Sequence, residues 1–105
     1  MITQLVLLTR RSDMSFDEFS SYWKNVHAPI AEKMPDVDRY VQYHGAATPS
    51  GEPAYDGVAL LQFADMDTLQ RSWDSPEGKL TAADIPNFLD GSKIVMLFTE
   101  GHQLI

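Results

Sequence analysis

Three histidines, His27, His44 and His102, carry most of the polar chemistry in this chain, and Tyr40 is a phenol able to work with them. No two histidines stand four apart on a helix, and neither a His-x-His nor a His-Glu-x-x-His run occurs. A metal site would have to be gathered from distant segments, so we expect no metal and no cofactor. His27 follows Trp23 by one helical turn and precedes Pro29. A helix C-terminus favours imidazolium, whereas apolar burial favours the neutral ring. Opposed in this way, a histidine is suited to general acid or base work. The plainer alternative is a core histidine donating to a carbonyl freed where Pro29 breaks the helix. Tyr40 can donate to a carbonyl oxygen or a developing enolate; its plainer alternative is a sheet tyrosine with its hydroxyl at the rim.

Strand alternation puts Tyr40, Gln42 and His44 on one face and Val41, Tyr43 and Gly45 on the other. If the polar-tipped face looks toward the first helix, Tyr40, Gln42, His44 and His27 line one cleft. Trp23 would then be core or pocket wall. Asp84 and Asp90 flank a proline and a turn and read as caps, and His102 reads as a surface residue. No nucleophile elbow, P-loop or dinucleotide fingerprint occurs.

The elements that must position these groups follow from periodicity. Ile2 to Thr9 is an apolar strand ending at charge. Ser15 and Glu18 form a capping box, with Met14 and Phe19 placed as a hydrophobic staple. Phe16, Phe19, Trp23, Val26, Ile30 and Met34 recur every three or four residues, the stripe of an amphipathic helix. Pro29 should end, kink or restart it near His27. Val37 to Ala46 and Tyr55 to Ala64 are strands around a Pro/Gly loop and suggest a hairpin. Asp65 caps a short helix carrying Met66, Leu69 and Trp73, and Ser75-Pro76 restarts a helix in which Leu80 and Ala83 face the core. Lys93 to Thr99 is the last strand. The order β-α-β-β-α-β predicts an α+β, ferredoxin-like fold, a four-stranded antiparallel sheet with helices on one face. The other face carries apolar side chains too, so a second copy should cover it, sheet to sheet.

The 105 residues predict one domain, 1–105. There is no cysteine, which excludes disulfides, zinc–thiolate sites and cysteine nucleophiles and suits a reducing, cytoplasmic setting. Eight basic against 15 acidic residues give a net charge of −7. That surface repels phosphate backbones and anionic membranes, so neither nucleic acid nor membrane is an expected partner. No apolar run approaches the ~20 residues of a membrane span. Most of the excess acid lies beyond residue 45, away from His27 and Tyr40.

Leu7-Leu8-Thr9-Arg10-Arg11, Met14 to Phe19, Tyr22-Trp23, His27-Ala28-Pro29 and Pro35 to Tyr40 together resemble the EthD-like family of the dimeric α+β barrel superfamily. Ser75-Pro76-Glu77-Gly78 and Asp84 with Phe88 and Asp90 extend the resemblance over nearly the whole chain. It implies the ferredoxin-like fold, the sheet-to-sheet homodimer and a link to ether or aromatic degradation. Small lactone isomerases of aromatic catabolism are similar in length and carry a helix-1 histidine and a pocket tyrosine at the interval that separates His27 from Tyr40. They also use a cysteine, which is missing here. Related barrels include cofactor-free monooxygenases and polyketide cyclases.

The expectation is a small cofactor-independent enzyme performing acid–base chemistry on a small apolar carbonyl, lactone or phenol in a catabolic or biosynthetic pathway. His27 moves the proton, Tyr40 holds the oxygen that gains charge, Gln42 and His44 orient the substrate, and Trp23 forms wall. The alternative is a non-catalytic ligand-binding or accessory protein associated with an oxygenase.

Overall fold

The computed structural model describes residues 1–105. Strands β1 (Ile2–Leu8), β2 (Arg39–His44), β3 (Gly57–Phe63) and β4 (Val95–Thr99) form one antiparallel sheet in the order β2-β3-β1-β4. Helices α1 (Phe16–Tyr22) and α2 (Ala28–Ala31) connect β1 to β2, and α3 (Met66–Asp74) and α4 (Pro76–Asp84) connect β3 to β4. This is the expected ferredoxin-like arrangement, and β2 and β3 pair as the expected hairpin. β2 starts at Arg39 rather than Val37, because Asp36 turns the chain with a positive φ of 60°.

The register decides which residues look at the helices. Gly57, Ala59, Leu61 and Phe63 of β3 are buried, and they lie opposite Leu8, Val6, Gln4 and Ile2 of β1. On the other side of β3, Tyr40 faces Leu61, Gln42 faces Ala59 and His44 faces Gly57. The strand parity read from the sequence therefore holds: Tyr40, Gln42 and His44 share the helix-covered face. Against that face pack Phe19, Trp23, Leu69, Phe88 and Leu89, which with Val6, Leu8, Ala59, Leu61 and Phe63 make the core. The opposite face is open. Leu97 there is 53% exposed and Tyr43 48%, beside half-buried Leu5, Leu7, Val41 and Leu60.

Local rules build the helix layer. Ser15 Oγ accepts from the Glu18 amide at 3.1 Å, and the Glu18 carboxylate accepts from the Ser15 amide at 3.0 Å, completing the capping box. Between α1 and α2 the chain makes a π-turn, Trp23–His27, in which the Ala28 amide donates to the Trp23 carbonyl. Pro29 has no amide to offer, and its ring crowds the carbonyl one turn earlier; the wider turn absorbs both demands without ending the helix. It also advances the buried face by about one residue. Val26, expected on the apolar stripe, is 44% exposed, while His27, Ala28, Ala31 and Met34 point inward.

Asp65 and Ser75 cap α3 and α4, accepting from the amides of Thr68 and Gly78. The inward face of α4 differs from the expected one. Leu80 is 63% exposed and Ala83 is exposed, whereas Gly78, Thr81 and Asp84 are buried. The corner between the helices dictates this. A Cβ at position 78 would lie 2.3 Å from the Ser72 carbonyl oxygen, so only the glycine face can approach α3. Thr81 then turns in with its hydroxyl satisfied by the Glu77 carbonyl at 2.9 Å. No helix is long and apolar enough to cross a membrane.

Candidate functional site

His27 enters the interior from the π-turn. Its ring packs on Phe88 with centroids 4.7 Å apart, and its Nδ1 lies 2.8 Å from Asp84 Oδ2. A carboxylate only accepts, so Nδ1 carries the hydrogen and Nε2 keeps its lone pair. No protein group hydrogen-bonds Nε2. Asp84 in turn accepts from the Tyr22 hydroxyl at 2.6 Å and the Asn87 amide at 3.0 Å, both on Oδ1. Burial pulls His27 below the usual imidazole value, against the hydrogen bond and charge of Asp84. Burial also works to raise the Asp84 carboxyl, but donors from Tyr22, Asn87 and His27 bring it below its ordinary value. Donating to that carboxylate raises the Tyr22 phenol. At neutral pH the pair is a neutral imidazole oriented by an ionised carboxylate.

Asp84 is thus not the cap its sequence position suggested; its side chain makes no cap hydrogen bond. Two of its three partners, Tyr22 and His27, lie far away in sequence. The only local sign was an acidic residue on the α4 face that turns inward. Asp90 does cap, accepting from the Ser92 amide at 3.0 Å.

The second set of polar groups runs along β2. Gln42 Nε2 donates to the Trp23 carbonyl at 2.9 Å and to the Tyr40 hydroxyl at 2.8 Å. Gln42 Oε1 meets His44 Nε2 at 2.9 Å, and His44 Nδ1 meets Ser20 Oγ at 2.5 Å. Burial and then the positive charge of Lys24 hold His44 below the usual imidazole value. Burial raises the Tyr40 phenol, while hydrogen bonds from Gln42 and Trp23 act the other way. Trp23 lies between the two sets: its ring is 4.4 Å from that of His44, and it walls the cavity that holds His27. Gly57 makes room for that ring, since a Cβ there would sit 2.6 Å from Trp23 Cζ3.

His27, Tyr40 and Trp23 line one partly open cavity of about 40 Å³, walled otherwise by Thr81 and by apolar residues such as Leu61, Ile85 and Phe88. Gln42 and His44 are not among its walls, and His102 is exposed near the C-terminus. The cleft expected from the sequence therefore divides into a cavity shared by His27 and Tyr40 and a hydrogen-bonded chain leading from Tyr40 to His44. The cavity has room for one or a few waters and is far below the ~300 Å³ at which ligand sites begin. Ser20, Tyr22 and Asn87 complete these networks and were not legible as site residues. A separate polar cleft of about 250 Å³ is lined by Arg10, Asp56 and Glu52. There Asp56 is paired with the Arg10 guanidinium and accepts from the Arg10 amide at 2.8 Å, tying the end of β1 to the start of β3. No group of three or more His, Asp or Glu side chains is placed to hold a metal ion.

Residues 11–92 match the family model described as the EthD domain. The chain belongs to the EthD family. The matched span runs from Arg11 through Asp84 and Asn87, so it contains both hydrogen-bonded sets. An uncharacterised 11.0 kDa protein in the thcB-thcC intergenic region of Rhodococcus erythropolis is 29% identical over 82 residues, 78% of this chain and 79% of that protein. Among solved structures, an ethyl tert-butyl ether d (EthD) family protein from Bacillus halodurans C-125 superposes with a TM-score of 0.83 at 22% identity, covering 97% of this chain and all of that one. A dimeric ferredoxin-like protein of unknown function from Thermobifida fusca gives a TM-score of 0.71 at 16% identity, with 93% and 88% covered.

Proposed function

We propose that this EthD-family chain is a small cofactor-independent enzyme that moves protons on a small apolar carbonyl, lactone or phenolic compound in a catabolic or biosynthetic pathway. One observation carries the reading. Asp84 commits the Nδ1 hydrogen of His27, which leaves Nε2 with a lone pair and no protein partner, and His27 and Tyr40 line the same cavity. A substrate C–H or O–H gives its proton to Nε2, and the imidazolium that forms is stabilised by the Asp84 carboxylate. The oxygen that gains charge takes a hydrogen bond from Tyr40. Return of the proton to a different atom yields the isomer and restores the neutral ring, with no oxidant consumed.

The cavity as it stands is too small for an organic substrate, so admission requires its wall to move. Ile85, Phe88 and Leu89 form the part of that wall that lies on the short turn after α4. We propose further that the domain spans 1–105, works in the cytoplasm, and pairs through its open sheet face with a second copy. The exposed apolar side chains of that face and the dimeric state of the Thermobifida fusca protein support the pairing.

The test is a mass-spectrometric turnover and binding screen against lactones, phenols and quinones, with His27→Gln as control. Turnover by the native chain that falls ~10²-fold or more in the variant is the expected result. A turnover rate that the substitution leaves unchanged removes His27 from the mechanism. The small cavity also favours a second reading, a non-catalytic accessory or ligand-binding protein of a degradation pathway. That reading predicts thermal stabilisation by a ligand that is recovered unchanged after long incubation.

A further inference from the structure

The hydrogen bonds along β2 have only one consistent set of directions. The Trp23 carbonyl can only accept, so the end of Gln42 that lies 2.9 Å from it is the amide nitrogen. The same nitrogen donates to Tyr40, whose hydroxyl oxygen accepts at 2.8 Å. The other end of Gln42 is therefore its oxygen, and His44 Nε2, 2.9 Å away, must carry a hydrogen. In a neutral ring Nδ1 then holds the lone pair, and Ser20 Oγ donates to it at 2.5 Å. One backbone carbonyl thus dictates the state of four side chains. At the far end, the hydroxyl hydrogen of Tyr40 has no protein acceptor, and Tyr40 lines the cavity.

We infer that Gln42, braced by His44 and Ser20, is a positioning residue for Tyr40 and does not itself touch the substrate. By filling an acceptor site on the phenol oxygen, Gln42 leaves Tyr40 one task, to donate its hydrogen into the cavity. The cavity then presents a lone pair at His27 Nε2 and a donor hydrogen at Tyr40. Its occupant has to offer a proton on one side and an oxygen acceptor on the other. This inference rests on the role given above to Tyr40, but the chain of directions stands or falls independently of turnover.

The two histidines should consequently be locked in opposite tautomers, His27 with its hydrogen on Nδ1 and His44 with its hydrogen on Nε2. Long-range ¹H–¹⁵N correlation spectra of the whole chain, recorded at a pH where both rings are neutral, read this directly. Gln42→Leu should shift His44 toward a tautomer mixture and move the Tyr40 phenol titration upward, with the His27 tautomer unchanged. Where a substrate has been found, the same variant should lower kcat on the order of 10-fold with KM less affected. A wild-type His44 carrying its hydrogen on Nδ1 overturns the inference. So does a Gln42→Leu protein in which His44 and Tyr40 both behave as in the wild type. If that variant does not fold, the wild-type tautomers decide. Correct tautomers combined with turnover that survives His27→Gln would keep the positioning chain and discard the catalytic role of His27.

Discussion

His27 and His44 are neighbours of the same tryptophan, and burial depresses both below the usual imidazole value, yet their surroundings differ in kind. His27 is 7% exposed and leans on a buried carboxylate that three side chains share. His44 sits half-buried on an edge strand and joins neutral partners only, an amide oxygen and a serine hydroxyl. A carboxylate behind the ring lets His27 take up a proton and remain stabilised. An amide behind the ring gives His44 direction without charge compensation. The first arrangement is suited to transferring a proton, the second to holding a neighbour still.

Four experiments can break or sharpen that contrast. The largest effect is expected from Asp84→Ala, which strips buried His27, half-buried Tyr22 and exposed Asn87 of their acceptor at once. It should cost about 3 kcal/mol in chemical denaturation, whereas Ser20→Ala should cost about 1 kcal/mol or less. Equal losses would mean that the two sets are alike. Next, His27→Gln should reduce turnover ~10²-fold or more, while His44→Gln, acting through Gln42 and Tyr40, should cost roughly 10-fold. The reverse order in kcat would exchange their roles.

Gly57→Ala should destabilise by about 1–3 kcal/mol, because its new methyl meets the Trp23 ring. Displacing that shared ring should perturb the resonances of both histidines; a change at only one would show that Trp23 does not couple them. The smallest effect is in pH. The folded state resists protonating either ring, so below the unfolded value of 6.5 the unfolded chain binds more protons and stability declines. The decline continues until the pH has passed through the depressed folded values. Thermal melts between pH 8 and 5 should lose less Tm in His27→Asn than in the wild type, and a slope identical to wild type would remove His27 from this linkage.

Much of the scaffold was legible because it rests on local rules. The capping box of Ser15 and Glu18, the caps at Asp65 and Ser75, and the alternation that groups Tyr40, Gln42 and His44 all depend on neighbours within four residues. Pro29 announced a disturbed helix, but the amino acids alone did not distinguish a break from a wide turn that shifts the face, and so Val26 was expected where His27 sits. The face of α4 was misread because apolar content marked Leu80, whereas backbone contact at Gly78 chose the rotation. Asp84 stayed hidden for a related reason: its partners Tyr22 and His27 come from another helix, and only tertiary packing brings them together. The cavity's volume depends on the fit of residues from five segments, which no periodicity encodes.

The π-turn can also be regarded as an insertion that the fold has kept. It holds one residue more than an α-turn over the same rise, and each residue of a helix accounts for roughly 100° of rotation. Deleting a single residue from 24–26 would let the segment close into an ordinary helix. His27 and everything after it would then keep roughly the direction they have, but the Trp23 carbonyl would lose the wide turn that leaves it open to Gln42. A lineage that lost this residue could keep the sheet, the core and the direction of His27 while losing the carbonyl that anchors Gln42. The length of the Trp23–Pro29 interval is therefore a marker by which members of the family that retain this site can be separated from those that keep only its fold.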